Sequence, residues 1–305
     1  MGIRFFKEIE LKNPVLIACW PGIGNIGLLA VDTLRKGLGA EEFAEIEPWD
    51  FFYPRKLTIR NGQIMELEFP HNKFYFKQTE KTDLIFFLAE EQPAWAGHAY
   101  AEGTEAFKMA NLVIDIAEKF NCCRIITSGA AVASIHHVMK PRVWAVPNSR
   151  QLIPELQKYE NTVLMSDIEG RSGEGNITGL NGLLLGVARK RGIDALCLMG
   201  EIPVYLQSFP ILYPKASKSV VEILCKVLGI GTNLSDLNEF AERSEREINR
   251  VYDELPSEAR EHLDKLKNAD HFCAFQTGTI TEDDKRKILE DVDTLFKKKT
   301  LEDEN

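Results

Sequence analysis

The first 232 residues alternate short apolar runs with segments of helical period, and this alternation restricts the possible folds more than any other feature of the sequence. Seven runs predict strands, at Val15–Cys19, Glu42–Ile46, Asp83–Leu88, Arg124–Ser128, Val143–Val146, Thr162–Met165 and Ala195–Met199. Five segments predict helices, at Ile26–Lys36, Ala101–Phe120, Gln151–Gln157, Gly179–Arg191 and Ala216–Leu228. Continuous apolar runs are typical of strands covered on both faces. We therefore predict an α/β core domain over residues 1–232, with a mostly parallel sheet.

One segment interrupts the alternation. Residues Phe51–Lys77 show no helical period, and Asn61-Gly62 is a strong signal for a type I′ turn. The flanking runs Leu57–Arg60 and Ile64–Phe69 predict an antiparallel hairpin, followed by a strand at Lys73–Phe76. The sheet is therefore predicted to be mixed, with a β-hairpin excursion at about residues 51–77.

The residues from Asn233 to Asn305 predict an acidic helical extension. They carry 20 Asp and Glu residues against 12 Lys and Arg residues, so they hold −8 of the net charge of −9. One apolar stripe runs from Leu234 to Leu255, Pro256 ends that helix, and further helices are predicted over Glu258–Lys267 and Gly278–Lys299. Because nucleic-acid binding needs a basic surface, we expect no nucleic-acid partner.

The remaining composition points to a cytoplasmic protein. No apolar run reaches the roughly 20 residues that cross a bilayer, and the first residues do not resemble a signal peptide. The six cysteines are scattered without a C-x-x-C pair, which is typical of a reduced compartment. We predict no metal site, since no Cys/His cluster appears in the sequence, and we assign no cofactor.

The stretch Cys19–Gly27 joins the first predicted strand to the first predicted helix. Its Gly22, Gly24 and Gly27 match the G-x-G-x-x-G pattern of a dinucleotide-binding turn. Trp20-Pro21 before the glycines and the hairpin after the second strand both disfavour a nicotinamide nucleotide. Two interpretations stay open, a loop that serves backbone geometry and a site for a phosphate-sized anion at the helix N-terminus.

Polar residues follow several predicted strands, where α/β sheets often bind ligands. We predict that they converge with the glycine loop on one candidate ligand-binding crevice, lined by Gly22, Gly24, Asn25, Gly27, Glu91, Gln92, Asn176 and Glu201. Two carboxylates suit acid/base chemistry, but no complete catalytic set is present, and no catalytic residue is assigned. The alternative is that these side chains cap helices and tie loops together.

Taken in order, several segments resemble the proteasome assembly chaperone 2 family over roughly Pro14 to Leu237. They are WPGIGNIGLLAVDTL, GAEEFAEIEPWDFFYPR, TDLIFFLAEEQP and GNITGLNGLLLGVARKRGIDALCLMGEIPVY, with a closing SVVEILCKVLGI. The resemblance implies a three-layer fold similar to purine nucleoside phosphorylases, homo-oligomers, and non-catalytic assembly factors that bind proteasome α-subunits. Some prokaryotic members are uncharacterised and carry an ATP-grasp label.

The C-terminus departs from one pattern of the family. Relatives that dock on the proteasome end in hydrophobic-Tyr-any residue, whereas this chain ends Asp303-Glu304-Asn305. This difference argues against docking through the C-terminus, since the motif is not present. The leading hypothesis is a homo-oligomeric, non-catalytic interaction protein or assembly chaperone, with proteasome-like subunits as the partners that the resemblance implies. The alternative is an enzyme or small-molecule binder that uses the crevice for a nucleoside- or phosphate-like ligand, and a nicotinamide-dependent oxidoreductase ranks last.

Overall fold

The computed structural model describes residues 2–93, 103–164, 177–207 and 211–267. Its strands are β1 (Ile3–Phe5), β2 (Val15–Cys19), β3 (Glu41–Ile46), β4 (Lys56–Arg60), β5 (Gln63–Glu68), β6 (Asn72–Lys77), β7 (Leu84–Ala89), β8 (Arg124–Ala133), β9 (Val143–Pro147), β10 (Thr162–Leu164) and β11 (Ala195–Pro203). Its helices are α1 (Ile26–Gly37), α2 (Gly103–Lys119), α3 (Ile153–Leu156), α4 (Gly179–Lys190), α5 (Pro214–Leu228), α6 (Ser235–Glu254) and α7 (Ser257–Lys265).

Nine strands form one mixed sheet in the order β1-β3-β6-β7-β2-β8-β11-β9-β10. The four central strands β7, β2, β8 and β11 are mutually parallel. At one edge β6, β3 and β1 continue antiparallel, and at the other edge β9 runs antiparallel to β11. The predicted α/β class with a mixed sheet is confirmed. The expectation of a mostly parallel sheet is wrong, because four of the eight strand pairings described in this sheet are parallel and four are antiparallel.

Two apolar cores lie on opposite faces of this sheet. In β2, Val15, Ile17 and Cys19 face the core built with α1, α5, α6 and α7, whereas Leu16 and Ala18 face the core built with α2 and α4. Successive strand residues point to opposite faces, so a strand covered on both sides needs apolar residues at every position. This is why β2 has a continuous apolar sequence.

Strands β8 and β11 are longer than their sequences predict. They pair in parallel from Ala195↔Ile125 to Pro203↔Ala133, through the small residues Gly129 and Gly200. Each strand supplies hydrogen-bond partners for the backbone groups of the other over this length. Small residues of low strand propensity can therefore be part of both strands. Glu201 consequently lies within β11, and the expectation that it follows the strand is wrong.

The predicted hairpin forms its own two-stranded sheet from β4 and β5. Asn61 and Gly62 both have positive φ, at 50° and 75°, as a type I′ turn requires. The predicted strand that follows the hairpin is β6, at the junction between the antiparallel and parallel parts of the large sheet.

The described part of the predicted extension, residues 233–267, packs against α5. Leu237 and Ile248 of α6 and Leu263 of α7 are buried in the α1/α5 core. Pro256 separates the two helices, as predicted. The helix predicted at Gly278–Lys299 lies outside the described residues. No helix in the described ranges is long and apolar enough to cross a membrane.

Candidate functional site

The glycine loop makes a sharp turn between β2 and α1. Gly24 and Asn25 both adopt left-handed backbone conformations, with φ of 58° and 49°. The backbone N–H of Asn25 donates a hydrogen bond of 2.9 Å to the Gly22 carbonyl. A Cβ on Gly27 would lie 2.5 Å from the Ser128 carbonyl carbon, whereas a Cβ on Gly22 would meet nothing within 4 Å. Gly27 therefore lets α1 approach the backbone of β8.

Two amide side chains hold this loop in place. Asn181 accepts a hydrogen bond from the Trp20 backbone amide at 3.2 Å and donates one to the Trp20 carbonyl at 3.3 Å. Gln92 donates to the Pro21 carbonyl at 2.6 Å and accepts from the Leu180 amide at 3.0 Å. The segments after β2, after β7 and at the start of α4 are thus tied together.

The structure places Gln92 beside the glycine loop, where it ties two loops together, as the alternative interpretation of the polar strand-end residues predicts. The sequence patterns above do not predict the role of Asn181. Its signal is a single amide within the apolar helix sequence of α4, where Leu180, Leu184 and Leu185 are buried. A buried amide has to satisfy its hydrogen-bonding groups, so such a position indicates a specific polar partner.

The acids after β7 bind an arginine from the start of the hairpin. The Arg55 guanidinium lies 2.7 Å from Glu90 and 2.6 Å from Glu91. Glu90 also accepts a hydrogen bond of 3.2 Å from the His71 amide. These carboxylates therefore fix the base of the hairpin to the end of β7.

Glu201 lies apart from this group, in an ion pair with Arg142 that is largely buried. Its carboxylate accepts hydrogen bonds of 2.8 and 3.1 Å from the Arg142 guanidinium, 2.8 Å from the Arg142 amide and 2.8 Å from the Trp144 indole. The Glu201 side chain is 0% exposed and the Arg142 side chain 13% exposed. A carboxylate saturated in this way holds β11 to the segment entering β9.

Asn25 faces a cleft of about 440 Å³ between α1 and the strands β6 and β7. Glu90 lines this cleft, but Glu201 does not. Asn176 lies outside the described residues. The lining is Asn25, Leu28, Leu29, Asp32, His71, Lys73, Tyr75, Leu88, Ala89, Glu90 and Leu212. Lys73 pairs with Glu42 at 3.0 Å, and Asp32 pairs with Arg35 at 2.7 Å.

The cleft thus offers amide, phenol and paired charged groups to a polar ligand. Within the described ranges, no group of three or more His, Cys, Asp or Glu side chains is arranged to hold a metal ion.

A second polar cluster follows β8, where α6 and α7 cover two adjacent histidines. His136 and His137 are buried, with ring centres 4.2 Å apart. His137 contacts the Tyr205 hydroxyl at 2.8 Å and the Asn249 side-chain oxygen at 3.0 Å. Burial, the His137 ring and the Lys267 ammonium lower the pKa of His136 to about 3. Burial also lowers the pKa of His137.

Because the pKa values of both histidines are lowered in the folded state, we expect the free energy of unfolding to decrease as the pH falls below 6.5. The unfolded chain protonates both histidines near pH 6.5, whereas the folded chain keeps His136 neutral down to about pH 3. Between these values the unfolded state binds the extra proton, so His136 alone costs about 1.4 kcal/mol of unfolding free energy per pH unit. Urea unfolding between pH 7 and pH 5 should show this loss, with the full slope reached below about pH 6.

The control separates the histidine effect from the titration of carboxylates. His136→Phe should reduce the slope by about 1.4 kcal/mol per pH unit and leave the part due to His137. His71→Gln, which changes an exposed histidine outside the cluster, should leave the slope unchanged. An equal slope in His136→Phe and in the unsubstituted protein would contradict the assignment.

Comparison with known proteins agrees with the fold described above. An uncharacterised protein of Methanocaldococcus jannaschii is 29% identical over 250 residues, which cover 81% of this chain and 87% of the relative. The solved structure of PbaB from Pyrococcus furiosus, described as an archaeal proteasome activator, is 28% identical with a TM-score of 0.65. That match covers 82% of this chain and 98% of PbaB.

The proteasome-assembly chaperone homologue Rv2125 of Mycobacterium tuberculosis is 19% identical, with a TM-score of 0.63, and shows the shared fold. That match covers 83% of this chain and 99% of Rv2125. The sequence model of the PAC2 family matches residues 16–252. This match runs from β2 into α6, spans most of the chain and confirms the resemblance to proteasome assembly chaperones. The chain belongs to the PAC2 family.

Proposed function

We propose that the protein is a non-catalytic, homo-oligomeric assembly chaperone whose partners are proteasome subunits. The observation that carries this proposal is the likeness to PbaB, which is described as a proteasome activator and matches over 98% of its own length at 28% identity. Because the match covers nearly the whole length of PbaB, it involves the entire α/β body rather than one motif.

The geometry of the polar residues supports a structural use of the predicted crevice. Glu201 is saturated by Arg142 and Trp144, and Glu91 is paired with Arg55. Gln92 and Asn181 join three segments of backbone. Carboxylates engaged in this way stabilise the fold, whereas a general acid or base needs access to a substrate.

Three finer features belong to the same proposal. The helices on both faces of the sheet support the three-layer arrangement similar to purine nucleoside phosphorylases. Cysteines without disulfides among the described residues support a cytoplasmic location. The assembly is proposed to be a homo-oligomer, because the family resemblance implies one.

The test is a binding experiment with proteasome α-subunits and assembled core particles from the same organism. Sedimentation velocity and native electrophoresis should show a complex at micromolar concentrations. A variant that ends at Lys267 keeps α6 and α7, whose Leu237, Ile248 and Leu263 complete the core, and therefore tests the acidic C-terminus alone. The proposal fails when neither the α-subunits nor the particle binds at concentrations up to about 50 micromolar, which corresponds to a binding free energy of about −6 kcal/mol.

A second candidate function is small-molecule binding in the cleft beside Asn25. It is favoured by the cleft volume of about 440 Å³ and by the polar groups of His71, Lys73 and Tyr75 on its wall. A bound ligand stabilises the folded state, so nucleosides, nucleotides and inorganic phosphate should raise the melting temperature. The variant Leu28→Trp, which fills the cleft from α1, should abolish that rise, and an unchanged melting temperature with every ligand excludes this function at the concentrations tested.

A further inference from the structure

The hairpin of β4 and β5, here called the ribbon (residues 56–68), carries an unusual concentration of exposed apolar side chains. Twelve large hydrophobic side chains are exposed in the described part of the chain, and seven of them lie within residues 49–67. Five belong to the ribbon itself: Leu57, Ile59, Ile64, Met65 and Leu67. Ile64 is 70% exposed and Ile59 is 62% exposed. Grouped exposed apolar side chains of this kind mark interaction surfaces.

The strand register places these side chains on one face of the ribbon. Leu57 lies opposite Leu67, and Ile59 lies opposite Ile64. Residues directly opposite each other in an antiparallel pair share a face, as do residues two apart along a strand. These four residues therefore form an apolar face, with Met65 at the register shift beside it.

The other face of the ribbon is polar. Its cross-strand pairs are Lys56↔Glu68, Thr58↔Glu66 and Arg60↔Gln63. The Thr58 hydroxyl donates to Glu68 at 2.9 Å, and the Lys56 ammonium lies 3.7 Å from the same carboxylate. Charges are thus confined to one side, and the apolar face carries none.

The ribbon is fixed to the body at its base. The Arg55 amide donates to the Glu68 carbonyl at 2.7 Å, and the Arg55 guanidinium binds Glu90 and Glu91. At the same end, the Trp49 ring packs against Phe69 with centres 4.6 Å apart. An isolated two-stranded hairpin is only marginally stable in water, so the apolar face needs a cover.

We propose that the cover is the same ribbon face of a second copy of this chain. The first 232 residues carry 26 acidic and 25 basic side chains, so the domain that bears the ribbon is almost neutral, and charge repulsion does not oppose the approach of two copies at this face. The apolar face is uncharged, and an identical face fits it without unpaired charges. Obligate homodimer interfaces are more hydrophobic than transient ones, and a second copy is present whenever the chain is made.

This surface supplies the contact for the homo-oligomer in the proposed function and rests on that part of it. The test uses the purified protein alone, in sedimentation equilibrium. The unsubstituted chain should form a dimer or a larger assembly of 34.5 kDa subunits. Ile59→Lys/Ile64→Glu should raise the dissociation constant at least about 100-fold, which corresponds to about 2.7 kcal/mol.

The two new charges lie opposite each other and form a cross-strand pair that preserves the ribbon. The matched control, Thr58→Lys/Gln63→Glu, adds the same charges to the polar face, beside Glu66 and Arg60, and should leave the assembly intact. Equal dissociation by both double variants, or by neither, overturns the proposal.

A second variant gives a test that is valid even if the ribbon of Ile59→Lys/Ile64→Glu does not fold. Replacing residues 57–67 by Asn-Gly keeps the Lys56↔Glu68 pair and closes it with a type I′ turn. This shortened chain should be monomeric and should melt as one cooperative unit. A monomeric unsubstituted protein at 100 micromolar, or an oligomeric shortened chain, overturns the proposal, and neither result bears on binding to proteasome subunits.

Discussion

Replacing Glu201 with alanine is expected to lower the free energy of unfolding by about 3–5 kcal/mol, because it leaves a buried guanidinium without its carboxylate. Arg142 is largely buried, and its amide and guanidinium both donate to Glu201, as does the Trp144 indole. Urea unfolding at pH 7, followed by circular dichroism, measures the loss through the shift in the transition midpoint.

The control uses a second Glu–Arg pair that is more exposed. Glu155 binds Arg124 at 2.7 and 2.8 Å, but the two side chains are 33% and 21% exposed. Glu155→Ala should therefore cost only about 1 kcal/mol. Equal losses in the two variants would show that burial does not set the strength of the Glu201 pair. An unchanged midpoint for Glu201→Ala would contradict the stabilising role of Glu201 and would favour a functional role instead.

Gly27→Ala is the second substitution with a large expected effect. The added methyl would lie 2.5 Å from the Ser128 carbonyl carbon and 2.6 Å from the Gly129 nitrogen. Both neighbours are backbone atoms in β8, which is hydrogen-bonded to β2 and β11, so they cannot move independently. We expect α1 to shift away from the sheet, with a loss of about 3 kcal/mol.

Gly22→Ala is the matched control in the same loop. Gly22 has an extended backbone with φ of −159°, and an added Cβ would meet nothing within 4 Å. The change in the free energy of unfolding should stay within about 0.5 kcal/mol. Losses of similar size in both variants, measured by urea unfolding, would contradict the view that helix–strand contact alone requires glycine at position 27.

Local patterns predicted the elements of this fold closely. The run Val15–Cys19 is β2 with the same limits, and Asn61-Gly62 forms the predicted turn. Both are properties of a short stretch: an apolar run with no polar break, and two adjacent residues that accept positive φ. Strands β8 and β11 were underpredicted, because their last residues are held by each other rather than by local propensity.

The candidate site depended on contacts that no local pattern contains. Asn25 faces a cleft with Glu90, Gln92 ties the glycine loop to α4, and Glu201 is buried with Arg142. Arg142 is 59 residues from Glu201 along the chain, and Asn181 is 161 residues from Trp20. A sequence shows which side chains are polar, but their partners follow from strand order and register.

The ribbon shows the same division between sequence and structure. The sequence alone determined that residues 51–77 contain two strands around a type I′ turn, since turn chemistry and alternation are local. The cross-strand register then set Leu57 against Leu67 and Ile59 against Ile64, which decided that their apolar side chains share one exposed face. Side-chain direction in a strand has period two, so one residue of register shift would have placed these side chains differently. The amino-acid sequence therefore determined the elements and the family of this protein, and tertiary pairing decided which surfaces and polar groups are left for partners.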